Sequence, residues 1–317
     1  MKKQFFAFSL IACAVSVTLP IPVFAVTLYG AGSLRNSLTE LTQTFTADYG
    51  ITVDTYFGPS GLTRQKIEQE LSTIGKSADV FASADLGNPQ KLFQSGLSNS
   101  VQNFTSNRMV AVVKPGLAGV TSDNLLDLLI NTNIKIGTST PGADPSGDYA
   151  WQIFDKADAI KPGSSQILKT KALQLVGGNP SAPTVPIGEN NLVYFLKTNP
   201  TADIFLAYYT SGKSAQELTE GNDLQIVELP NYLATKADYG LTVIKNANPD
   251  GEKLATYILS PKGQAILAKY GFSSPSTSIP EHQGVCGTVL ALSVAFAMHK
   301  KLAVTREQII KIGMVKP

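Results

Sequence analysis

Three short stretches of the sequence set a serine beside a glycine where an apolar run gives way to a helical pattern: YGAGSLRNSL (29–38), FGPSGL (57–62) and ADPSGDYAW (143–151). At such a junction the hydroxyl and the free N–H groups of the first helical turn point at one spot, and the helix dipole makes that spot favourable for an anion. The residues singled out are Ser33, Ser60 and Ser146, with Gly32, Gly61 and Gly147 beside them. A nucleotide loop of the G-x-x-x-x-G-K-[ST] type needs a lysine and a magnesium-binding hydroxyl, but Leu34, Arg35 and Asn36 follow the first serine. The dinucleotide pattern G-x-G-x-x-G fails as well, at Arg35. One such serine is more simply an N-cap. Three of them at strand-turn-helix corners suggest a shared cleft, because open α/β sheets bind ligands outside the carboxyl ends of their strands. Uncharged donors suit a small oxyanion that carries no proton, such as molybdate, tungstate or sulfate. Phosphate would need an acceptor for its own proton.

Composition removes several other chemistries. The two histidines are His282 and His299, so residues 26–281 contain no base for a serine or cysteine nucleophile and no histidine for zinc. A secreted hydrolase using Ser60 or Ser33 is the alternative from another class, and that missing base is its weakness. Residues 1–25 read as a signal peptide, with Lys2 and Lys3 before an apolar run and Val23-Phe24-Ala25 at the cleavage site. A lipoprotein anchored at Cys13 is the second choice. Removing Lys2 and Lys3 takes the formal charge from +2 to 0, which argues against nucleic acid as a partner. Cys286 is then the one cysteine left, so no internal disulfide is expected, and no later uncharged run is long enough to span a bilayer.

The elements that must position these serines alternate as strand and helix, which predicts an α/β fold with largely parallel sheets. VTLY (26–29) leads into a helix with Leu34, Leu38, Leu41 and Phe45 on one face. ITVDTYF (51–57) leads into a helix carrying Leu62, Ile67 and Leu71, and DVFASAD (79–85) into one with Pro89 in its first turn. The second half predicts strands at MVAVV, IKIG and DIFLAYY. Its helices fall near 122–130, from Ser146, near 191–198, and through Ile167, Leu168, Ala172, Leu175 and Val176. GLTVIK precedes two final helices, the second opened by Pro261 and stopped by Gly271. If there are two domains, NRMVAVV and YGLTVIK are the strands that cross between them.

With these stretches in hand the sequence resembles the periplasmic molybdate-binding proteins that feed ABC importers. GAGSLRNSLTEL, FGPSGLTRQKIE, ADVFASAD, DPSGDYA, FLAYYTSGKSA and LSPKGQAILAKYGF carry the resemblance, which runs from about Leu28 to Phe272. It implies a two-lobed type II periplasmic binding protein fold, with lobe 1 at 26–107 plus 236–274, lobe 2 at 108–235 and two crossing hinge strands. It further implies a monomeric, non-enzymatic receptor for molybdate or tungstate in the periplasm, with no cofactor and with a membrane permease as partner. By motif the contacts would be Ser33 and Ser60 in the first lobe, through hydroxyl and backbone N–H, and in the second Ser146, through its backbone N–H, with Asn191 and Tyr208. Sulfate, phosphate and a metal-chelating organic acid remain as other anions.

The sequence departs from the family pattern in its acids. Asp144 and Asp148 flank the second-lobe serine and Glu189 lies near Asn191. Such carboxylates repel an oxyanion unless they are paired, turned outward or bound to its metal centre, and Asp148 is more simply a first-turn acid favoured by the helix dipole. Arg35 and Arg64 are expected on solvated helical faces. Residues 275–317 extend past the family's end and have no assigned role.

Overall fold

A computed structural model of the chain describes residues 25–275. Residues 1–24 of the expected signal peptide, Cys13, Cys286, both histidines and residues 276–317 of the expected extension lie outside the described residues. The first half runs β1 (Val26–Ala31), α1 (Arg35–Tyr49), β2 (Val53–Gly58), α2 (Ser60–Ile74), β3 (Val80–Ser83), α3 (Gly87–Gln94) and β4 (Gln102–Val113). Next come α4 (Leu125–Ile130), β5 (Ile136–Ser139), α5 (Pro145–Ile160), α6 (Ser164–Lys171), β6 (Leu173–Val176), α7 (Asn191–Val193), β7 (Ile204–Tyr208), α8 (Tyr209–Gln216) and β8 (Gln225–Glu228). The last elements are β9 (Lys236–Val243), α9 (Asp250–Leu259) and α10 (Pro261–Lys269).

The strands hydrogen-bond in the order β2-β1-β3-β9-β4-β7-β5-β6, with β8 also on β4. Pairing is parallel between β1 and both β2 and β3, and between β5 and both β6 and β7. It is antiparallel wherever β4 or β9 takes part. The long β4 makes two lobes from one sheet: Gln102–Arg108 pairs with β9, whereas Met109–Val113 pairs with β7 and β8. This is the two-lobed type II architecture, with β4 and β9 as its crossing strands.

Side-chain periodicity explains the helices. Leu34, Leu38, Leu41 and Phe45 are fully buried, and Gly50 ends α1 at φ 70°, a left-handed stop that glycine adopts without a Cβ clash. In α5, Ala150, Ile153, Phe154 and Ala157 form the inward face. One expectation is corrected. The helix drawn through Ile167 to Val176 stops at Lys171, and Leu173–Val176 pairs with β5 as the end strand of the sheet. Tertiary pairing there outweighs the helical spacing. Leu62 is on the expected helix but 38% exposed, in the first turn of α2 beside Gly178. Strand β8 has no counterpart in the sequence pattern.

Candidate functional site

A cavity of about 890 Å³ opens between the lobes, and the carboxyl ends of several strands feed it. From the first lobe, Gly32 and Ser33 follow β1, and Ser60 follows β2. From the second, Ser139 ends β5, Asp144 and Ser146 begin α5, and Tyr208 ends β7. Glu189, Asn190 and Asn191 reach the same cavity from the loop before α7. The structure thus brings together Ser33, Ser60, Ser146, Asn191 and Tyr208, residues drawn from positions far apart in the sequence.

The hydrogen-bond pattern fixes which hydroxyls can donate into this space. The obligate donor N–H of Arg108 binds Asn107 Oδ1 at 2.9 Å, which sets the orientation of that amide. Asn107 Nδ2 therefore donates to Thr210 Oγ1 at 2.8 Å and to the Tyr239 hydroxyl at 3.3 Å. Accepting there, Tyr239 has its own proton to offer Ser33 Oγ, 2.8 Å away, in a bond where either hydroxyl can donate. When Ser33 accepts in that bond, its proton is left for the cavity. Ser60 Oγ is likewise an acceptor, from Ala84 N–H at 3.1 Å, and also keeps its proton. The Tyr208 hydroxyl is buried and has no hydrogen-bond partner among the described residues. Burial pushes its ionisation well up, so it stays a neutral donor. Tyr239 and Asn107 escaped the sequence reading because no local signal marks a bond that spans 206 residues.

Three of the other candidate donors, all backbone N–H groups, are already spent. The N–H of Ser146 goes to Asp144 Oδ1 at 3.1 Å, so Asp144 is the N-cap of α5 and the backbone contact expected at Ser146 is occupied. The N–H of Gly61 reaches across the cleft to the Ala143 carbonyl at 2.9 Å, and that of Gly147 turns back to the Asp144 carbonyl at 2.9 Å. Both glycines serve close approach: a Cβ on Gly61 would meet the Gly142 carbonyl oxygen at 2.6 Å, and one on Gly147 the Pro141 nitrogen at 2.5 Å. Gly32 lines the cavity with nothing packed against it.

The charged residues divide in a different way. Asp148 accepts from the Gly142 N–H at 2.8 Å and pins that turn. Asp144 also accepts from Ser139 Oγ at 2.6 Å, and burial pushes the carboxyls of Asp144 and Asp148 above the ordinary range. Glu189 lies exposed at the rim. Arg35 lines the rim too, but its guanidinium donates to the Phe57 carbonyl at 3.2 Å and lies over the Phe57 ring. Arg64 is held by Asn88 and Glu68. Among the described residues, no arginine or lysine is therefore seated among the three hydroxyls.

Residues 26–273 match the family described as bacterial extracellular solute-binding protein. An uncharacterized protein of Pasteurella multocida is 33% identical over 214 residues, which cover 68% of this chain and 85% of that one. Among solved structures, the periplasmic molybdate-binding protein of Azotobacter vinelandii superposes with TM-score 0.60 at 19% identity, over 79% of this chain and 99% of its own. PEB3 of Campylobacter jejuni with bound L-phospholactate also gives TM-score 0.60, at 18% identity, over 78% and 99%. At these identities the two structures speak for the fold.

Proposed function

The chain belongs to the bacterial extracellular solute-binding protein family, and on that premise we propose that it captures a small tetrahedral oxyanion between its lobes and presents it to the permease of an ABC importer. The observation that carries this is the convergence on one cavity of three neutral hydroxyls, on Ser33, Ser60 and Tyr208, each able to donate to a ligand. Hydrogen bonds to a charged group contribute about 1.5–3 kcal/mol each, so a few such donors can replace a counter-ion. Molybdate and tungstate head the ligands to test, since the sequence resembles molybdate-binding proteins and one structural neighbour is a protein of that name. The phospholactate bound by the other neighbour places a phosphoryl group beside them. Among the described residues there is no histidine to serve a hydrolase.

Export through the leader would place the protein in the periplasm as a monomer. Its lobes would be 26–107 with 236–274, and 108–235, hinged on β4 and β9. Calorimetric titration of the mature protein with molybdate, tungstate, sulfate and phosphate tests the reading. Ser33→Ala combined with Ser60→Ala should weaken the anion that binds by at least tenfold. Unchanged affinity would remove both serines from the site.

A further inference from the structure

Asp144 gives this cleft a property that a site for a bare oxyanion does not need. We propose that the oxyanion captured here brings its own hydroxyl donor: a phosphoryl ligand, as hydrogen phosphate or a hydroxyl-bearing phosphate monoester, whose O–H is accepted by Asp144 while Ser33, Ser60 and Tyr208 donate to its other oxygens. The inference rests on the oxyanion reading above and narrows it.

The donor and acceptor inventory of the cavity is the argument. Both hydrogen bonds to Asp144 come from neutral donors, the Ser146 N–H on Oδ1 and the Ser139 hydroxyl on Oδ2. An ionised carboxylate has about four acceptor positions, so roughly two remain open. Asp144 lines the cavity together with the three hydroxyls. The other acids acting on it, Asp148 and Asp85, carry the same sign and offer it no counter-charge. Facing sulfate, molybdate or tungstate, none of which holds a proton at neutral pH, this carboxylate repels the anion's oxygens. Facing an O–H, the same atoms make a charge-assisted hydrogen bond. A carboxylate among neutral donors therefore discriminates by the ligand's proton, because the wrong anion leaves buried groups unpaired.

Size points the same way. About 890 Å³ lies in the range of pockets that hold organic ligands and exceeds what a four-oxygen ion fills. The remaining wall is rich in acceptors, with Glu189, Asn191, Ser211 and Glu217. Those groups suit the hydroxyls of an ester's carbon chain.

Titration at pH 8 of the wild type and of Asp144→Asn with five probes tests the proposal: inorganic phosphate, glycerol 3-phosphate, methyl phosphate, sulfate and molybdate. Asparagine can still accept from the Ser146 N–H, so the cap of α5 is kept. In the wild type, phosphate or glycerol 3-phosphate should bind at least tenfold tighter than methyl phosphate or sulfate, which have no O–H to give. Whichever of the first two binds tighter identifies the source of the phosphoryl group. Asp144→Asn should cut that advantage at least tenfold and leave sulfate unchanged or tighter. Tighter wild-type binding of molybdate or sulfate would overturn the proposal, and so would an equal loss of every anion in the variant. If the variant fails to fold, the wild-type ratio of phosphate to methyl phosphate decides alone. No heat with any probe would instead sink the oxyanion reading itself.

Discussion

The hydroxyls of Ser33, Ser60 and Tyr208 differ in how their donor role is set, and each can be tested by removing one atom. Tyr208 has no other partner, so Tyr208→Phe removes a donor without freeing a buried group. Affinity should fall about tenfold, a loss of about 1.4 kcal/mol, with little change in melting temperature. An unaltered dissociation constant would place the ligand elsewhere in the cavity. Ser33 is bonded from behind: Tyr239→Phe takes away the hydroxyl that holds Ser33 Oγ. The effects of Tyr239→Phe and Ser33→Ala on affinity should therefore fall short of additive in a double-mutant cycle, whereas additive losses would make Tyr239 merely structural. Asp144 acts in the opposite direction on stability. Its carboxyl titrates higher in the folded chain than in the unfolded one, so the ionised form costs stability, increasingly as pH rises above the ordinary carboxylate range near about 4. Ligand-free Asp144→Asn should then melt at or above the wild type at pH 7, with the difference vanishing in acid; a lower melting point at pH 7 would show that the charge supports the fold. Sequence exposed the serines and Tyr208 because strand-turn-helix corners and motif mark them. It left Tyr239 and Asn107 unseen, since only the folded chain brings them to Ser33.

At the scale of elements, the same Ser-Gly pair has two mechanical meanings. Both corners read alike in sequence, as FGPSGL and ADPSGDY, but the neighbours of the two glycines differ. Gly61 faces the Gly142 and Ala143 carbonyls across the cleft, whereas Gly147 packs on the Thr140–Pro141 peptide of its own turn. Gly61→Ala should therefore keep the melting temperature near that of the wild type and weaken ligand binding several-fold, because the added methyl group holds the α2 corner off its partner. Gly147→Ala should overpack a rigid turn at a cost of about 1–3 kcal/mol, visible as a melting point lower by several degrees. Thermal melts beside titrations separate the two, and equal melting losses would refute the distinction. Regular periodicity made α1, α5 and the central strands legible. The segment 173–176 was misread because Leu175 and Val176 continue the helical spacing of 167–172, although the end of the sheet recruits them as β6. β8 was missed because four residues with a single buried side chain give almost no pattern.

For the whole molecule, the crossing strands would carry both the proposed hinge and the hydrogen bonds behind the site. Asn107 sits in β4 and Tyr239 in β9, and their hydrogen bonds join Ser33 of the first lobe to Thr210 of the second. Among the described residues, other polar contacts also bridge the cleft: Gly61 to Ala143 at 2.9 Å, Asn36 to Ser214 at 3.0 Å and Lys213 to the Lys269 carbonyl at 2.7 Å. The last two are exposed and individually weak, so a ligand touching both lobes would contribute strongly to the closing free energy. A ligand can shift the equilibrium only by its differential affinity for the closed form. Small-angle scattering of the mature protein should therefore show a smaller radius of gyration once the anion found by calorimetry saturates the site. Asn107→Leu, which cuts the join at its centre, should reduce the affinity for that anion while its saturated form still contracts. A scattering profile identical with and without saturating ligand would mean that β4 and β9 do not work as a hinge, and the receptor would then have to load its anion through a fixed cleft.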